Sequence, residues 1–80
     1  MHEFGIAKAM LKQAIEKAGS NAKKITRIKI KAGHLEMLSQ ESLQIAFDDI
    51  AKNSIAEGCR IEYEEFPGKG MSVESMEVES

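Results

Sequence analysis

The spacing of apolar residues changes repeatedly along this chain of 80 residues, and that pattern limits the folds it can adopt. Apolar residues recur at helical spacing over residues 4–18 and again over residues 43–51. They alternate with polar residues over residues 25–32 and 59–66, which is the period of a β-strand. A third strand is predicted over residues 71–78. The pattern predicts the order helix, strand, helix, strand, strand in one small domain.

Each predicted helix carries one apolar stripe and an end signal. The first stripe consists of Phe4, Ala7, Met10, Leu11, Ala14, Ile15 and Ala18. The second consists of Leu43, Ala46, Phe47, Ile50 and Ala51. Gly19 is the predicted stop of the first helix, because glycine readily adopts the left-handed conformation that ends helices. Ser39 is the predicted N-cap of the second helix, which we expect to close at Asn53 and Ser54.

The first two predicted strands separate an apolar face from a charged face. In the first strand Ile28, Ile30 and Ala32 alternate with Arg27, Lys29 and Lys31. In the second strand Cys59, Ile61 and Tyr63 alternate with Arg60, Glu62 and Glu64. A strand–helix–strand unit favours a parallel pair with a right-handed crossover. The predicted class is α/β, as an α+β sandwich with two helices packed on one face of a small three-stranded mixed sheet. Opposite charges on the other face would contribute about 0.2–1 kcal/mol per pair.

The phase of the third strand is ambiguous in the sequence. Met71 and Val73 share one face, whereas Met76 and Val78 share the other. A β-bulge and burial on both faces explain this equally well, and the strand order stays open. The turn at residues 67–70 is also short enough to act as a hinge, so an oligomer formed by strand exchange is an alternative.

Composition excludes several classes of function. The formal net charge is −2, and no run of Lys or Arg indicates a nucleic-acid partner. No apolar run approaches the roughly 20 residues that span a bilayer, and the N-terminal residues lack a signal-peptide pattern, so we expect a cytoplasmic protein and no membrane partner. No phosphate loop or activated nucleophile is present, which predicts that the chain is not an enzyme. The single cysteine, Cys59, cannot form an internal disulfide or a Cys-x-x-Cys zinc site.

The histidine at position two suggests metal binding. The Met1 amine, the amide nitrogen after it and the His2 imidazole can close adjacent chelate rings, and a deprotonated amide favours square-planar Ni(II) or Cu(II). Glu3 adds a carboxylate, and His34 is a candidate for a fourth position if the fold brings it near His2. The alternative is a metal-free protein-interaction domain in which His2 is incidental.

The sequence as a whole resembles the HypA family of nickel metallochaperones. Met1, His2 and Glu3 match the family's Met-His-Glu nickel motif. Further similarity covers residues 4–7, 24–30, 33, 35, 41–43, 46–47, 56–62 and 73–78. The resemblance implies a carrier that hands Ni(II) over for hydrogenase maturation, and in some organisms for urease. It also implies a HypB-type GTPase and the hydrogenase large subunit as partners.

The chain departs from that family between the last two predicted strands. HypA-type proteins carry a zinc module with two Cys-x-x-Cys pairs at this place, where the present chain has Pro-Gly-Lys-Gly at residues 67–70. The resemblance therefore predicts a single nickel-binding domain over residues 1–80, with the zinc module replaced by a short turn and no zinc bound.

Overall fold

The computed structural model describes residues 2–80, apart from the side chain of His2. Two α-helices, three strands and one 3₁₀ helix follow one another along the chain. They are α1 (His2–Ala18), β1 (Lys24–Gly33), the 3₁₀ helix His34–Glu36, α2 (Gln40–Ile50), β2 (Arg60–Phe66) and β3 (Met71–Glu79). The predicted order of helices and strands is confirmed.

The three strands form one mixed sheet in the order β2-β1-β3. The central strand, β1, runs parallel to β2, as the strand–helix–strand pattern predicts, and antiparallel to β3. Both helices supply side chains to one core beneath the sheet, so the predicted α+β class is confirmed. Neither helix in the described residues is long and apolar enough to cross a lipid bilayer.

The core lies on the face that the two helices cover. Its fully buried side chains come from both helices and from the alternating positions of the strands. The largest are Phe47, Met10, Ile25, Ile28, Ile30, Leu43, Ile61 and Cys59. Ile15 is 40% exposed, because it lies at the margin of the predicted stripe on α1. The remaining members of both stripes are buried or packed against the core.

The beginning of α2 agrees with its sequence signal, whereas its end does not. Ser39 is the N-cap, and its hydroxyl oxygen accepts a hydrogen bond from the Ser42 amide at 3.1 Å. The helix ends at Ile50 with Ala51 as its C-cap, so the predicted closure at Asn53 and Ser54 lies too far along the chain. Turns occupy the residues between, and Asn53 adopts a left-handed conformation with a φ of 67°.

The ambiguous phase of β3 is resolved by two irregularities in its pairing with β1. Val73 lies opposite Ile30 and Met76 lies opposite Ile28, with a register shift between these two pairs. One extra residue on β3 returns Met76 to the same face as Val73, which is what a bulge does. A second shift, beside Ile25, adjusts β1 in the same way. The bulge explanation is therefore correct, and burial on two faces is not needed.

The outer face of the sheet carries the predicted ion pairs. Arg27, on the central strand, contacts Glu62 of β2 at 3.0 Å and Glu77 of β3 at 3.3 Å. Lys29 contacts Glu64 at 3.9 Å. These side chains are about two-fifths to three-fifths exposed, and exposed pairs contribute only about 0–1 kcal/mol each. The pairs favour this strand arrangement, but burial of the other face supplies most of the stability.

The outer edge of β2 is covered by two glutamine side chains from α2. The Gln44 amide donates to the Cys59 carbonyl at 3.0 Å and accepts from the Ile61 amide at 2.8 Å. One helical turn earlier, Gln40 donates to the Ile61 carbonyl at 3.1 Å and accepts from the Tyr63 amide at 3.4 Å. The two side chains therefore satisfy backbone groups that a fourth strand would otherwise pair with.

Replacing Gln44 by alanine is expected to destabilise the fold by about 1–3 kcal/mol, because the half-buried Ile61 amide and Cys59 carbonyl lose their partner. Urea unfolding followed by circular dichroism measures the change. The matched control is Gln13→Ala, since Gln13 lies on α1 and makes no side-chain hydrogen bond within residues 2–80. Equal effects of the two substitutions would contradict the edge-covering role of Gln44.

Candidate functional site

The N-terminal motif stands at the start of α1. The predicted nickel ligands Met1 and the His2 side chain lie outside the described residues. The helix begins at His2, and Glu3 is the acidic residue of its first turn. The first four amide groups of a helix have no acceptor within that helix. The amide nitrogens of His2 and Glu3 therefore take no part in the hydrogen bonding that holds α1 together.

Glu3 borders a small hollow between the two helices. It is half-buried and lines a space of about 180 Å³ together with Phe4 of α1 and Ser42, Ile45 and Ala46 of α2. The lining is mostly apolar. Glu3 therefore lies beside the surface of α2.

His34, the other predicted ligand, holds a turn in place. Its Nδ1 accepts a hydrogen bond from the Gly68 amide at 3.2 Å. A neutral imidazole that accepts at Nδ1 carries its proton on Nε2. Coordination of a metal through Nε2 would require that nitrogen to lose its proton. Coordination through Nδ1 would require the ring to give up its hydrogen bond to Gly68. The exposed imidazole is thus already engaged with the chain.

The turn at residues 67–70 makes three further hydrogen bonds with the last residue of β1 and the segment that follows it. A Glu36 carboxylate oxygen accepts from the Gly70 amide at 2.7 Å. The Leu35 amide donates to the Gly68 carbonyl at 2.9 Å, and the Gly33 amide donates to the Gly70 carbonyl at 2.8 Å. The 3₁₀ helix His34–Glu36 therefore fixes the connection between β2 and β3. The role of Glu36 was missed in the sequence, because its partner Gly70 lies 34 residues away.

Gly33 lets the turn pass close to the end of β1. A Cβ atom on Gly33 would overlap the Gly68 carbonyl group and the Cα of Lys69. The φ of Gly33 is −68°, which any residue can adopt, so the requirement for glycine is one of space. The turn and the central strand are consequently packed backbone against backbone.

The structure does not gather the predicted ligands into one cluster within its described part. Among residues 2–80, apart from the His2 side chain, no three His, Cys, Asp or Glu residues form a group that could hold a metal ion. The assignment of Met1, His2, Glu3 and His34 as nickel ligands therefore stays a prediction.

Cys59 is buried, as its place on the inward face of the sheet predicts. Burial, assisted by the negative charge of Asp48, raises the pKa of its thiol to about 11. The group stays protonated near neutral pH, and a protonated thiol is a poor nucleophile and metal ligand. Cys59 is therefore part of the core.

Comparison with known proteins identifies the family. A family model described as "Hydrogenase/urease nickel incorporation, metallochaperone, hypA" matches residues 1–77. The hydrogenase maturation factor HypA of Methanocaldococcus jannaschii is 36% identical over 70 residues, covering 80% of this chain and 56% of the relative. That of Azotobacter chroococcum is 35% identical over 72 residues, covering 86% and 62%. That of Rhodobacter capsulatus is 32% identical over 71 residues, with the same coverage.

The matching family model describes a metallochaperone, which is a class of metal carrier. The chain belongs to the HypA family. It spans about three-fifths of the length of the curated relatives that it matches.

The close approach at Gly33 gives a test of the turn. Gly33→Ala is expected to destabilise the fold by about 1–3 kcal/mol, because the new methyl group displaces the turn. Gly5→Ala is the matched control, since nothing lies within 4 Å of its added Cβ on α1. This control should instead stabilise the fold by up to about 1 kcal/mol through helix propensity. Thermal unfolding compares the two, and a stable Gly33→Ala variant would contradict the packing described.

Proposed function

We propose that this chain is a nickel-carrying domain that delivers Ni(II) during hydrogenase maturation. The observation that carries the proposal is the family match over residues 1–77, which includes Met-His-Glu at positions one to three. The carrier acts by coordination and release, without covalent chemistry. Its ligands stand at the end of a helix, where they exchange without disturbing the core.

The proposed nickel ligands are the His2 imidazole and amide nitrogen, with the Met1 amine and Glu3 completing the site. The start of α1 supports this set, because the amides of His2 and Glu3 have no acceptor within the helix. A deprotonated amide is a strong-field donor and favours planar Ni(II). Coordination by these groups therefore leaves the hydrogen bonds of α1 intact.

We place His34 outside the nickel site as long as the turn at residues 67–70 is closed. Its Nδ1 already accepts from the Gly68 amide, and its proton is therefore on Nε2. Recruiting this imidazole as a further ligand would release one of the four hydrogen bonds that fix the turn. The cost of that release favours a water molecule or a terminal group in the remaining position.

The proposed partners are those that the family resemblance implies. A HypB-type GTPase would act with the carrier, and the hydrogenase large subunit, or urease, would be the destination of the metal. This exchange is proposed to take place in the cytoplasm. The metal-free interaction domain is the rival function, and it shares the fold but needs no nickel.

We also propose that this chain lacks the zinc module of its family. The four residues 67–70 join β2 to β3, and both strands pair with β1 up to the turn. The turn is fixed by His34 and Glu36, so it is an ordered connection. The sequence contains one cysteine, which is buried, and four thiolates are the usual ligands of such a module.

A Ni(II) titration tests the carrier function. The protein with a free Met1 amine is expected to bind one Ni(II) with a planar-type visible absorption band. His2→Ala and a Gly-Ser extension before Met1 should each abolish this binding, because each removes donors from the chelate. His34→Ala should leave the affinity nearly unchanged. Calorimetry and absorption measure all four proteins, and equal binding by the wild type and His2→Ala would favour the interaction domain.

Zinc binding gives a separate test of the missing module. The monomer is expected to take up no tightly held zinc, because Cys59 is buried and its thiol is protonated. Native mass spectrometry after incubation with zinc and removal of the excess by gel filtration measures the metal content. Retention of one zinc ion per monomer would show that other residues form a zinc site.

A further inference from the structure

The exposed face of α2 contains an isoleucine that has three acidic neighbours on the same helix. Ile45 is 63% exposed, although it lies in the middle of a helix whose other apolar residues are buried or half-buried. Residues three and four positions away on a helix are its surface neighbours. For Ile45 these neighbours include Glu41, Asp48 and Asp49, all of them exposed. An apolar side chain of this size is thus held in water within an acidic border.

Ile45 also separates two hollows in the surface. On one side lies the hollow of about 180 Å³ that reaches Glu3 and Phe4. On the other side lies a hollow of about 420 Å³, whose lining includes Glu41 of α2 and Arg60 of β2. Each hollow can receive a side chain from a partner, and the isoleucine between them supplies apolar contact area.

We propose that Ile45 is the centre of a docking surface for a helical or extended segment whose apolar side chains are flanked by Lys or Arg. The apolar residues would fill the hollows beside Ile45, and the basic residues would pair with the acidic border.

Charge complementarity supports a basic partner. Lys52 is 3.9 Å from Asp49 and compensates that residue in part. Glu41 forms no ion pair within the described residues, and Asp48 only accepts a hydrogen bond from Gln44 at 2.8 Å. A basic segment would gain attraction and a faster encounter from these charges. A second copy of this chain would instead bring two acidic borders together, which disfavours it as the occupant.

The location of this surface links it to the proposed nickel site. The purpose of docking therefore rests on the proposed function. The smaller hollow is bordered by Glu3, so a segment docked beside Ile45 would lie next to one of the residues that we propose to hold nickel. A recipient of the metal would be oriented there before transfer. Docking itself requires no metal, and the two proposals can fail independently.

The test uses two synthetic amphipathic peptides and the full, metal-free chain labelled with ¹⁵N. One peptide has a leucine row flanked by lysines, and the other has glutamate in place of every lysine. The lysine peptide is expected to shift the amide resonances of Ser42, Ile45 and Ala46, whereas the glutamate peptide should not bind. Ile45→Gln should weaken binding by at least about tenfold, as removal of a central apolar contact does.

Leu35→Gln is the matched control, because Leu35 is 61% exposed but lies on the 3₁₀ helix. It should leave peptide binding unchanged. The proposal is overturned if the lysine peptide does not bind, if both peptides bind equally, or if Leu35→Gln has the same effect as Ile45→Gln. Concentration-dependent shifts at Ile45 without peptide would identify a second copy as the occupant and also overturn it. Nickel binding by Ile45→Gln should equal that of the wild type, which separates this result from the carrier function.

Discussion

The close packing of the turn at residues 67–70 against the end of β1 is the constraint on which the rest of the structure depends. β1 is the only strand with two neighbours in the sheet described, and its last residue, Gly33, lies directly beneath the turn. The turn has to cross this strand because β2 and β3 flank it on opposite sides. Four hydrogen bonds hold it there: the amides of Gly33 and Leu35 donate to the turn, and the side chains of His34 and Glu36 accept from it. The turn is thereby fixed over the end of the central strand.

Because His34 is bonded to this turn, the two histidines have different surroundings. His34 serves as an acceptor for the turn, whereas His2 stands at the start of α1, where the helix leaves amide groups without acceptors. A metal carrier needs ligands that exchange while its fold stays intact. The proposed ligands at the start of α1 would meet that need, since release of nickel would then require no rearrangement of the core around Phe47 and Met10.

Much of the fold could be predicted because its determinants are local. Alternation around Ile28 and helical spacing around Phe47 fix which side chains are buried, and those periods are visible in a single sequence. The bulge in β3 could not be chosen, because it depends on the strand opposite. The roles of Gln40 and Gln44 were missed for the same reason, since their partners lie 15 or more residues away. The metal motif was visible because its donors are adjacent, whereas the partner of His34 is 34 residues distant.

The proposed nickel site at the amino terminus is separate from the turn held by His34, and X-ray absorption at the nickel edge tests that separation most directly. The measurement uses the full chain with a free amino terminus, loaded with one equivalent of Ni(II). We predict a planar shell of nitrogen and oxygen donors with the scattering of a single imidazole. Two imidazoles, or a six-coordinate shell without amide nitrogen, would contradict the account, because His34 would then be a ligand or the terminal chelate would not form.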